Sequence, residues 1–230
     1  MNPPLRVAVV GAGGKLGSAA CTAIETCAEF TLVGRFNSRD DWPVRVRELK
    51  VDVALESTRA GLGLDHALRL LDAGANVVVA TSGISLEDQA VLDARARERS
   101  RGGLIVPNFS LGAMLLMRAC GEFAAHFKAA EIIEMHHDKK RDAPSGTALE
   151  TERRMRSARP QSSAAVPIHS VRLPGLYAHQ EVLFSGPGEV LTIRHDLFSP
   201  QAFAPGILAA LRYAAKARGV QRGIELAFAT

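Results

Sequence analysis

Residues that can transfer a proton or bind an anion are concentrated between Glu131 and Glu150. The densest part of this segment, within six consecutive positions, contains His136, His137, Lys139, Lys140 and Arg141. Histidine gains and loses a proton near neutral pH, and ammonium and guanidinium groups form strong, charge-assisted hydrogen bonds to carboxylates and phosphates. This composition predicts a site that binds an anionic substrate and can move a proton.

The elements on either side of this basic loop support the same prediction. Residues 131–135 are mostly apolar and predict a strand, whereas Pro144-Ser145-Gly146-Thr147 is typical of a helix start. The first turn of a helix has free N–H groups and the positive end of the helix dipole, so it attracts anions. A strand end, a basic loop and a helix start in series therefore predict the substrate site.

A glycine-rich segment near the N-terminus predicts a second site, for a dinucleotide. The apolar run Leu5–Val10 is followed by Gly11-Ala-Gly-Gly-Lys-Leu-Gly17 and then by a helical pattern from Ser18 to Cys27. A strand, a glycine turn and a helix in this order bind a pyrophosphate at the helix N-terminus. The spacing is not a strict GxGxxG, because Leu16 stands in the place of the last glycine. A glycine-rich turn without a ligand remains the alternative.

The end of the second predicted strand, residues 30–35, bears on the choice between NAD and NADP. An acidic residue there binds the ribose 2′-hydroxyl of NAD, whereas arginine favours the 2′-phosphate of NADP. The segment from Arg35 to Arg39 has no acid, and the next one is Asp40. We therefore expect NADPH or NADH as cofactor, with NADPH preferred and Arg35 in contact with it. Two alternatives remain: Asp40 or Asp41 could bind a ribose, or Arg35 and Arg39 could be solvated loop residues.

Strands and helices alternate regularly in the first half of the chain. Further buried strands are predicted at 51–55, 76–80 and 103–106, with helices at 60–73 and 86–100. This alternation predicts an α/β fold with a Rossmann-like doubly wound parallel sheet. The small residues Thr81-Ser-Gly83, after the fourth strand, could approach a nicotinamide ring.

The second half of the chain has a different pattern. Helices are predicted at 114–127 and 147–158, and three strand-like runs then follow one another at 169–173, 180–185 and 189–195. Successive strands without a long helix between them predict an α+β domain with a mixed or antiparallel sheet.

The predicted domain boundaries follow from this change of pattern. Residues 1–107 are expected to bind the dinucleotide, and 108–205 to bind the substrate. The C-terminal segment 206–230 is expected to return to the first domain through a helix at 207–217. A short tail is expected from Gly223 onward.

Composition excludes several other classes of protein. The chain has 230 residues, of which 47% are hydrophobic, and a net charge of +4. No apolar run approaches the ~20 residues of a membrane helix, and we expect no signal peptide. Only 5% of the residues are aromatic, which argues against nucleic acid as a partner. Cys21, Cys27 and Cys120 lack CxxC spacing, so we expect reduced thiols, no metal site and a cytoplasmic location.

The basic segment, taken as a whole, resembles a known family. The signature Glu134-x-His136-His137-x-x-Lys140-x-Asp142-Ala-Pro-Ser-Gly-Thr-Ala148 is similar to that of the 4-hydroxy-tetrahydrodipicolinate reductases, also called dihydrodipicolinate reductases. These enzymes belong to bacterial lysine and diaminopimelate synthesis. Ala80-Thr81-Ser82-Gly83 and Pro107-Asn108-Phe109-Ser110 resemble two further family segments, and the resemblance extends from Val7 to about Arg218.

The resemblance implies a reaction and a role for each matching residue. NAD(P)H would deliver a hydride to C4 of the ring formed from hydroxy-tetrahydrodipicolinate after loss of water, and a proton would be added at C3. His136 matches the general acid, and Lys140 matches the residue that pairs with a substrate carboxylate. The positions that match the substrate-binding residues are His137, Ser145, Gly146 and Thr147. The positions that match cofactor-contacting residues are Gly11, Gly14, Lys15, Leu16, Thr81, Gly83, Asn108 and Phe109.

Three positions depart from the family pattern, and they bear on cofactor affinity and domain closure. Ala80 replaces a glycine beside the nicotinamide site, and Ser18 and Gln201 stand where many relatives have arginine.

The resemblance also implies a homotetramer assembled through the sheets of the second domain.

The remaining basic residues receive no chemical role. Lys139 and Arg141 are interpreted as solvated or positioning charges, and Arg172 or His179 could line the pocket. Two other functions remain as alternatives: a different NAD(P)-dependent dehydrogenase, acting on aspartate or an amino-acid semialdehyde, and a nucleotide-binding sensor without activity.

Overall fold

The computed structural model describes residues 3–37, 40–159 and 165–229. Arg39, named in the cofactor prediction, lies outside these residues. The chain divides into two compact units, of which the first comprises Met1–Phe109 and Phe203–Thr230 and the second Ser110–Ala202.

The first unit is built on a six-stranded parallel sheet. In chain order its strands are β1 (Leu5–Val10), β2 (Phe30–Phe36), β3 (Val53–Glu56), β4 (Asn76–Val79), β5 (Gly102–Ile105) and β10 (Gly219–Arg222). They lie in the order β10-β5-β4-β3-β1-β2, and every neighbouring pair is parallel. The strand order reverses between β1 and β3, which is where doubly wound sheets bind ligands.

Helices cover both faces of this sheet. The helices of the first unit are α1 (Lys15–Glu25), α2 (Trp42–Glu48), α3 (Gly63–Asp72), α4 (Leu86–Glu98) and α7 (Ala204–Lys216). Side chains of α2, α3 and α4 share one hydrophobic core with the strands, while α1 and α7 contact each other and the sheet. The predicted Rossmann-like doubly wound sheet is confirmed.

Two short elements of the first unit have no signal in the sequence. Strand β10 lies between the last predicted helix and the expected tail, and its four residues are too few to show a period of two. It forms through pairing with β5 and through Val220, which is 3% exposed and whose N–H donates to Asp93 Oδ1 at 2.7 Å. Helix α2 has only seven residues and is fixed by the buried ring of Trp42, which packs edge-on against His66.

The second unit is a four-stranded sheet with two helices. Its elements are β6 (Ala129–His136), β7 (Ile168–Arg172), β8 (Ala178–Gly186), β9 (Glu189–Leu197), α5 (Leu111–Ala124) and α6 (Gly146–Ser157). The strand order is β7-β6-β8-β9, in which β6 and β7 are parallel and the other pairs are antiparallel. Both helices contribute to one core with residues of β6 and β8, so they lie on the same face. The predicted α+β unit with a mixed sheet is confirmed.

No helix in the described ranges is long and apolar enough to cross a membrane.

Candidate active site

The glycine loop after β1 is shaped by two close backbone contacts. Gly11 has φ +91°, and a Cβ there would lie 2.4 Å from the Ser57 carbonyl oxygen. A Cβ on Gly17, in the first turn of α1, would lie 2.1 Å from the carbonyl oxygen of Gly11. Both positions therefore exclude a side chain, and α1 packs directly against the loop.

The loop leaves the N-terminus of α1 available for an anion. The N–H of Gly11 donates to Phe36 O at 2.8 Å, and that of Gly13 to the side-chain oxygen of Asn37 at 3.0 Å. Lys15 and Leu16 occupy the first turn of α1, where N–H groups have no acceptor within the helix. This arrangement fits the pyrophosphate of a dinucleotide. The role of Asn37 was missed, because no local signal predicts its bond to Gly13.

The structure gives the two candidates for the ribose end different partners. Arg35 forms an ion pair with Glu25 of α1, and both side chains are about half exposed. Asp40 Oδ2 accepts a hydrogen bond of 2.6 Å from the N–H of Asn37, so this carboxylate holds the loop after β2. Arg35 is therefore accessible, but it already has an acidic partner within its own unit.

The other predicted cofactor residues follow the carboxyl ends of β4 and β5. Ala80 donates its N–H to Glu56 O at 2.8 Å, which continues the sheet by one residue. Thr81 is buried, and its hydroxyl has no hydrogen-bond partner in the described part of the chain. A buried hydroxyl without a partner calls for a ligand or a water molecule. Gly83 adopts φ +90° with open space around its Cα.

Asn108 and Phe109 follow β5 in the same way. Asn108 is half-buried, and Phe109 is 3% exposed. Because the carboxyl ends of parallel strands lie at one edge of a sheet, these two residues share that edge with Gly11, Gly14 and Thr81.

The catalytic candidate His136 is the last residue of β6. Its Nδ1 lies 2.5 Å from Oε2 of Glu134, two residues earlier on the same strand. Alternate residues of a strand point to the same side, so this contact follows from the strand itself. Glu134 has no solvent exposure.

Glu134 is also bound by a guanidinium group from the neighbouring strand. Arg172, at the end of β7, donates from Nη1 to Oε2 at 2.9 Å and from Nη2 to Oε1 at 2.7 Å. His136 and Arg172 are paired in the β6–β7 register, which places both beside Glu134. Sequence reasoning gave Glu134 no role and mentioned Arg172 only as a residue that could line the pocket.

Burial and charge act in opposite directions on this group. Burial has the largest effect on His136 and lowers its pKa. The hydrogen bond and charge of Glu134 raise the pKa, whereas the charges of Lys140 and Arg172 lower it. The net result is a pKa of His136 below its usual value. Burial would raise the pKa of Glu134, but hydrogen bonds from Arg172, Ser170 and His136 outweigh it and hold this pKa below its usual value. Glu134 is therefore a carboxylate near neutral pH.

Lys140 is held in the loop between β6 and α6. Its ammonium group donates to both carboxylate oxygens of Asp142, at 2.9 and 2.7 Å. The hydrogen bond from Lys140 lowers the pKa of Asp142. The Lys140 side chain is 21% exposed, so a substrate carboxylate can still reach it. His137 precedes Lys140 in a turn closed by a bond from Lys140 N to His137 O at 3.1 Å.

The predicted helix start lies beside this loop. Ser145 caps α6, and its hydroxyl accepts from the N–H of Ala148 at 3.3 Å. Gly146 and Thr147 form the first turn, with open space at Gly146. The N–H of Ser145 donates to Oε1 of Glu134 at 3.3 Å, so the carboxylate that binds His136 also holds the helix start.

Two other histidines have structural partners. His179 is buried, with Nδ1 2.7 Å from Asp196 Oδ1 and Nε2 accepting from Tyr177 N at 3.2 Å. His66 is buried with Nδ1 3.1 Å from the hydroxyl of Thr58.

Family comparisons cover both units. The family described as dihydrodipicolinate reductase, N-terminus, matches residues 5–109, and the family described as dihydrodipicolinate reductase, C-terminus, matches residues 112–225. The chain belongs to the dihydrodipicolinate reductase family.

Individual relatives match over nearly the whole chain. A 4-hydroxy-tetrahydrodipicolinate reductase from Moorella thermoacetica is 36% identical over 98% of this chain and 98% of the relative. A protein with the same name from Coxiella burnetii is 38% identical over 90% of this chain and 92% of the relative.

Solved structures agree with the family assignment. A dipicolinate-bound dihydrodipicolinate reductase from Paenisporosarcina sp. TG-14 has a TM-score of 0.86 and 30% identity, covering 97% of this chain and 99% of that chain. A DAP dehydrogenase from C. glutamicum, with 16% identity and a TM-score of 0.55, shares the fold alone.

Proposed function

We propose that this protein reduces 4-hydroxy-tetrahydrodipicolinate to tetrahydrodipicolinate with NADPH or NADH, in lysine and diaminopimelate biosynthesis. The observation that carries the proposal is the arrangement of the second unit. A buried carboxylate holds His136 and the start of α6, while Lys140 lies in the loop between them. The dehydrogenases of similar architecture share the fold alone, so they do not favour the alternative of a different substrate.

The substrate is proposed to bind through its two carboxylates. Lys140 would pair with one of them, and the N–H groups of Gly146 and Thr147, at the positive end of α6, would receive the other. Ser145 and His137 complete the substrate-binding set. The related Paenisporosarcina reductase binds dipicolinate, which also carries two carboxylates on one ring. Two anchors fix the orientation of the ring, and fixed orientation lowers the barrier to transfer.

His136 is the proposed proton donor. In its protonated form it would donate a proton to C3 of the ring, and Glu134 would stabilise the cation before transfer. Because Nδ1 faces Glu134, the donated proton is the one on Nε2. The low pKa of His136 makes the proton easier to release.

The first unit is proposed to hold the cofactor. Gly11, Gly14, Lys15 and Leu16 would bind its pyrophosphate, and Ala80, Thr81, Gly83, Asn108 and Phe109 its nicotinamide half. The close packing of Gly17 on Gly11 fits this role, and so does the Thr81 hydroxyl, which has no hydrogen-bond partner among the described residues. When bound, the cofactor supplies the hydride. Arg35 supports a preference for NADPH, because it is accessible to a 2′-phosphate.

We infer a cytoplasmic homotetramer, in which one sheet face of the second unit contacts a second copy. That face carries Ile133, Leu183 and Val190, because they alternate with the side chains that face the helices. Among the described residues of this unit, both α-helices pack on the opposite face.

A coupled assay tests the function. Purified protein is supplied with a dihydrodipicolinate synthase that makes the substrate in place, and oxidation of NADPH and of NADH is followed separately. We expect the cofactor to be oxidised only when the synthase is present. At low cofactor concentration, NADPH should be oxidised faster than NADH. His136→Ala should lower kcat by about 100-fold or more with little change in cofactor affinity. Absence of oxidation with either cofactor would exclude the proposed function.

A further inference from the structure

We propose that Glu134 and Arg172 are positioning residues, which together hold His136 and the start of α6 in one fixed arrangement. The inference rests on the proposed function and assigns a role to two residues outside the predicted set. It begins from the observation that one fully buried carboxylate joins three separate segments of the second unit.

The carboxylate of Glu134 accepts hydrogen bonds on both of its oxygens, from His136, from Arg172 and from the backbone of Ser145, and it also accepts one from Ser170. Oε2 accepts hydrogen bonds from His136 Nδ1 at 2.5 Å and from Arg172 Nη1 at 2.9 Å. Oε1 accepts hydrogen bonds from Arg172 Nη2 at 2.7 Å and from the backbone N–H of Ser145 at 3.3 Å. The distance from the proposed proton donor to the proposed carboxylate site on α6 is therefore set through a single side chain.

This arrangement also selects the tautomer of His136. An ionised carboxylate only accepts hydrogen bonds, so Nδ1 must carry a proton. The transferable proton is then the one on Nε2, and the neutral form left after transfer keeps its proton on Nδ1. A histidine without this partner would distribute its proton between both nitrogens and would lose its fixed ring orientation.

Arg172 makes the burial of Glu134 possible. A buried carboxylate is costly unless its charge is paired and its lone pairs are satisfied. Arg172 supplies two parallel N–H donors to Glu134, the geometry that arginine provides and lysine does not. Its Nη2 also donates to Asp142 O at 2.8 Å, which ties the loop carrying Lys140 to the same pair.

The pair predicts opposite changes in the pH dependence of the reaction. The charged groups that face His136 are Glu134 on its own strand, Arg172 on β7, and Lys140 in the loop, where Lys140 is itself paired with Asp142. Because His136 must be protonated to act, the rate falls as pH rises through its pKa. Removing the negative charge of Glu134 moves this fall to lower pH, and removing the positive charge of Arg172 moves it to higher pH.

The experiment measures kcat and KM across pH for Glu134→Gln, Arg172→Gln and Arg172→Lys. We expect Glu134→Gln to lower kcat roughly 10- to 100-fold. The alkaline limb of its pH profile, where the rate falls as pH rises, should shift to lower pH by about one unit. Arg172→Gln should shift the limb upward by a similar amount. Arg172→Lys keeps the charge, so the limb should return to the wild-type position while part of the loss in kcat remains. Cofactor affinity should stay unchanged in all three.

The chain offers a matched control pair on α6. Arg153 binds Glu150 through two bonds of 2.8 Å, as Arg172 binds Glu134, but that pair is more exposed and has no histidine. Glu150→Gln and Arg153→Gln should leave kcat, KM and the pH profile as in the wild type. Shifts in the same direction for Glu134→Gln and Arg172→Gln, or equal effects in the control pair, would overturn the inference.

Nitrogen-15 NMR of the histidine rings separates this inference from the proposed function. In the free wild-type protein, His136 should be protonated on Nδ1 when neutral, and its pKa should move in opposite directions in the two Gln variants. This measurement requires no turnover, so it tests the positioning role even if the coupled assay shows no activity. A neutral His136 protonated on Nε2 would reject the positioning role. Glu134→Asp serves as a second variant if Glu134→Gln does not fold, and it should keep the tautomer.

Discussion

At the scale of single residues, the site depends on which of two adjacent histidines contacts a buried acid. His136 and His137 have the same side chain, and in the sequence only the family resemblance indicates which of them is the proton donor. His136 ends β6 on the same face as Glu134, whereas His137 lies beyond the strand, in the turn that leads to Lys140. The short bond to Glu134 therefore distinguishes His136 physically.

Arg35 permits a residue-scale test of cofactor preference. Arg35→Ala should raise KM for NADPH by about 10-fold, since a charge-assisted bond to phosphate contributes roughly 1.5–3 kcal/mol and exposure reduces it. KM for NADH should not change, because NADH has no 2′-phosphate. The measurement is a set of steady-state rates with each cofactor.

Glu25 provides the control for that test. It is the ion-pair partner of Arg35, so Glu25→Gln should leave KM for NADPH equal or lower. An equal rise in KM for both cofactors after Arg35→Ala would show that Arg35 does not contact the 2′-phosphate.

At the scale of elements, the glycine loop packs so closely against α1 that no side chain is tolerated at Gly17. Gly17→Ala would place a Cβ 2.1 Å from the Gly11 carbonyl oxygen, and backbone atoms cannot rotate away as a side chain can. We expect a loss of stability of about 1–3 kcal/mol and weaker cofactor binding. Denaturant unfolding and cofactor titration measure the two effects.

A second helical glycine provides the matched control. In Gly121→Ala, the new Cβ would lie 3.7 Å from Arg154 Cβ, an ordinary contact. Alanine is a better helix former than glycine by about 1 kcal/mol, so this variant should be as stable as the wild type or slightly more stable. Similar losses in both variants would contradict the role of close packing at Gly17.

Elements with a strong local pattern were predicted well, and short ones were not. Helix α6 was expected from Thr147 and is capped by Ser145, because a capping serine acts within its own turn. Strand β10 and helix α2 have four and seven residues. Their stability comes from the neighbouring β5 and from the buried Trp42, which lie elsewhere in the chain.

At the scale of the whole molecule, the two family matches together span residues 5–109 and 112–225, and the second match covers the second unit together with α7 and β10 of the first. The mixed sheet of the second unit has its helices on one face, and the proposed tetramer would cover the other. Val190 on β9 is 63% exposed and lies in register with Ser185 of β8. An exposed apolar side chain on such a face is available to a second copy.

The proposed assembly is tested by charge insertion on that face. Light scattering should show a tetramer for the wild type and a smaller species for Val190→Lys, because a buried ammonium group without a partner opposes association. Val44→Lys, at a valine of α2 that is 43% exposed, should keep the wild-type mass. A wild-type monomer, or a tetramer that persists in Val190→Lys, would rule out this face as the interface.

The sequence by itself predicted the order of the longer strands and helices, the glycine loop after β1 and the segment containing His136, Lys140 and the start of α6. These features depend on periodicity, glycine positions and capping, which act between residues close together in the chain. Only the tertiary structure decided that Arg172 binds Glu134, a residue 38 positions away, and that Arg35 is paired with Glu25. Such contacts depend on strand register and helix packing, which bring together side chains that share no local pattern.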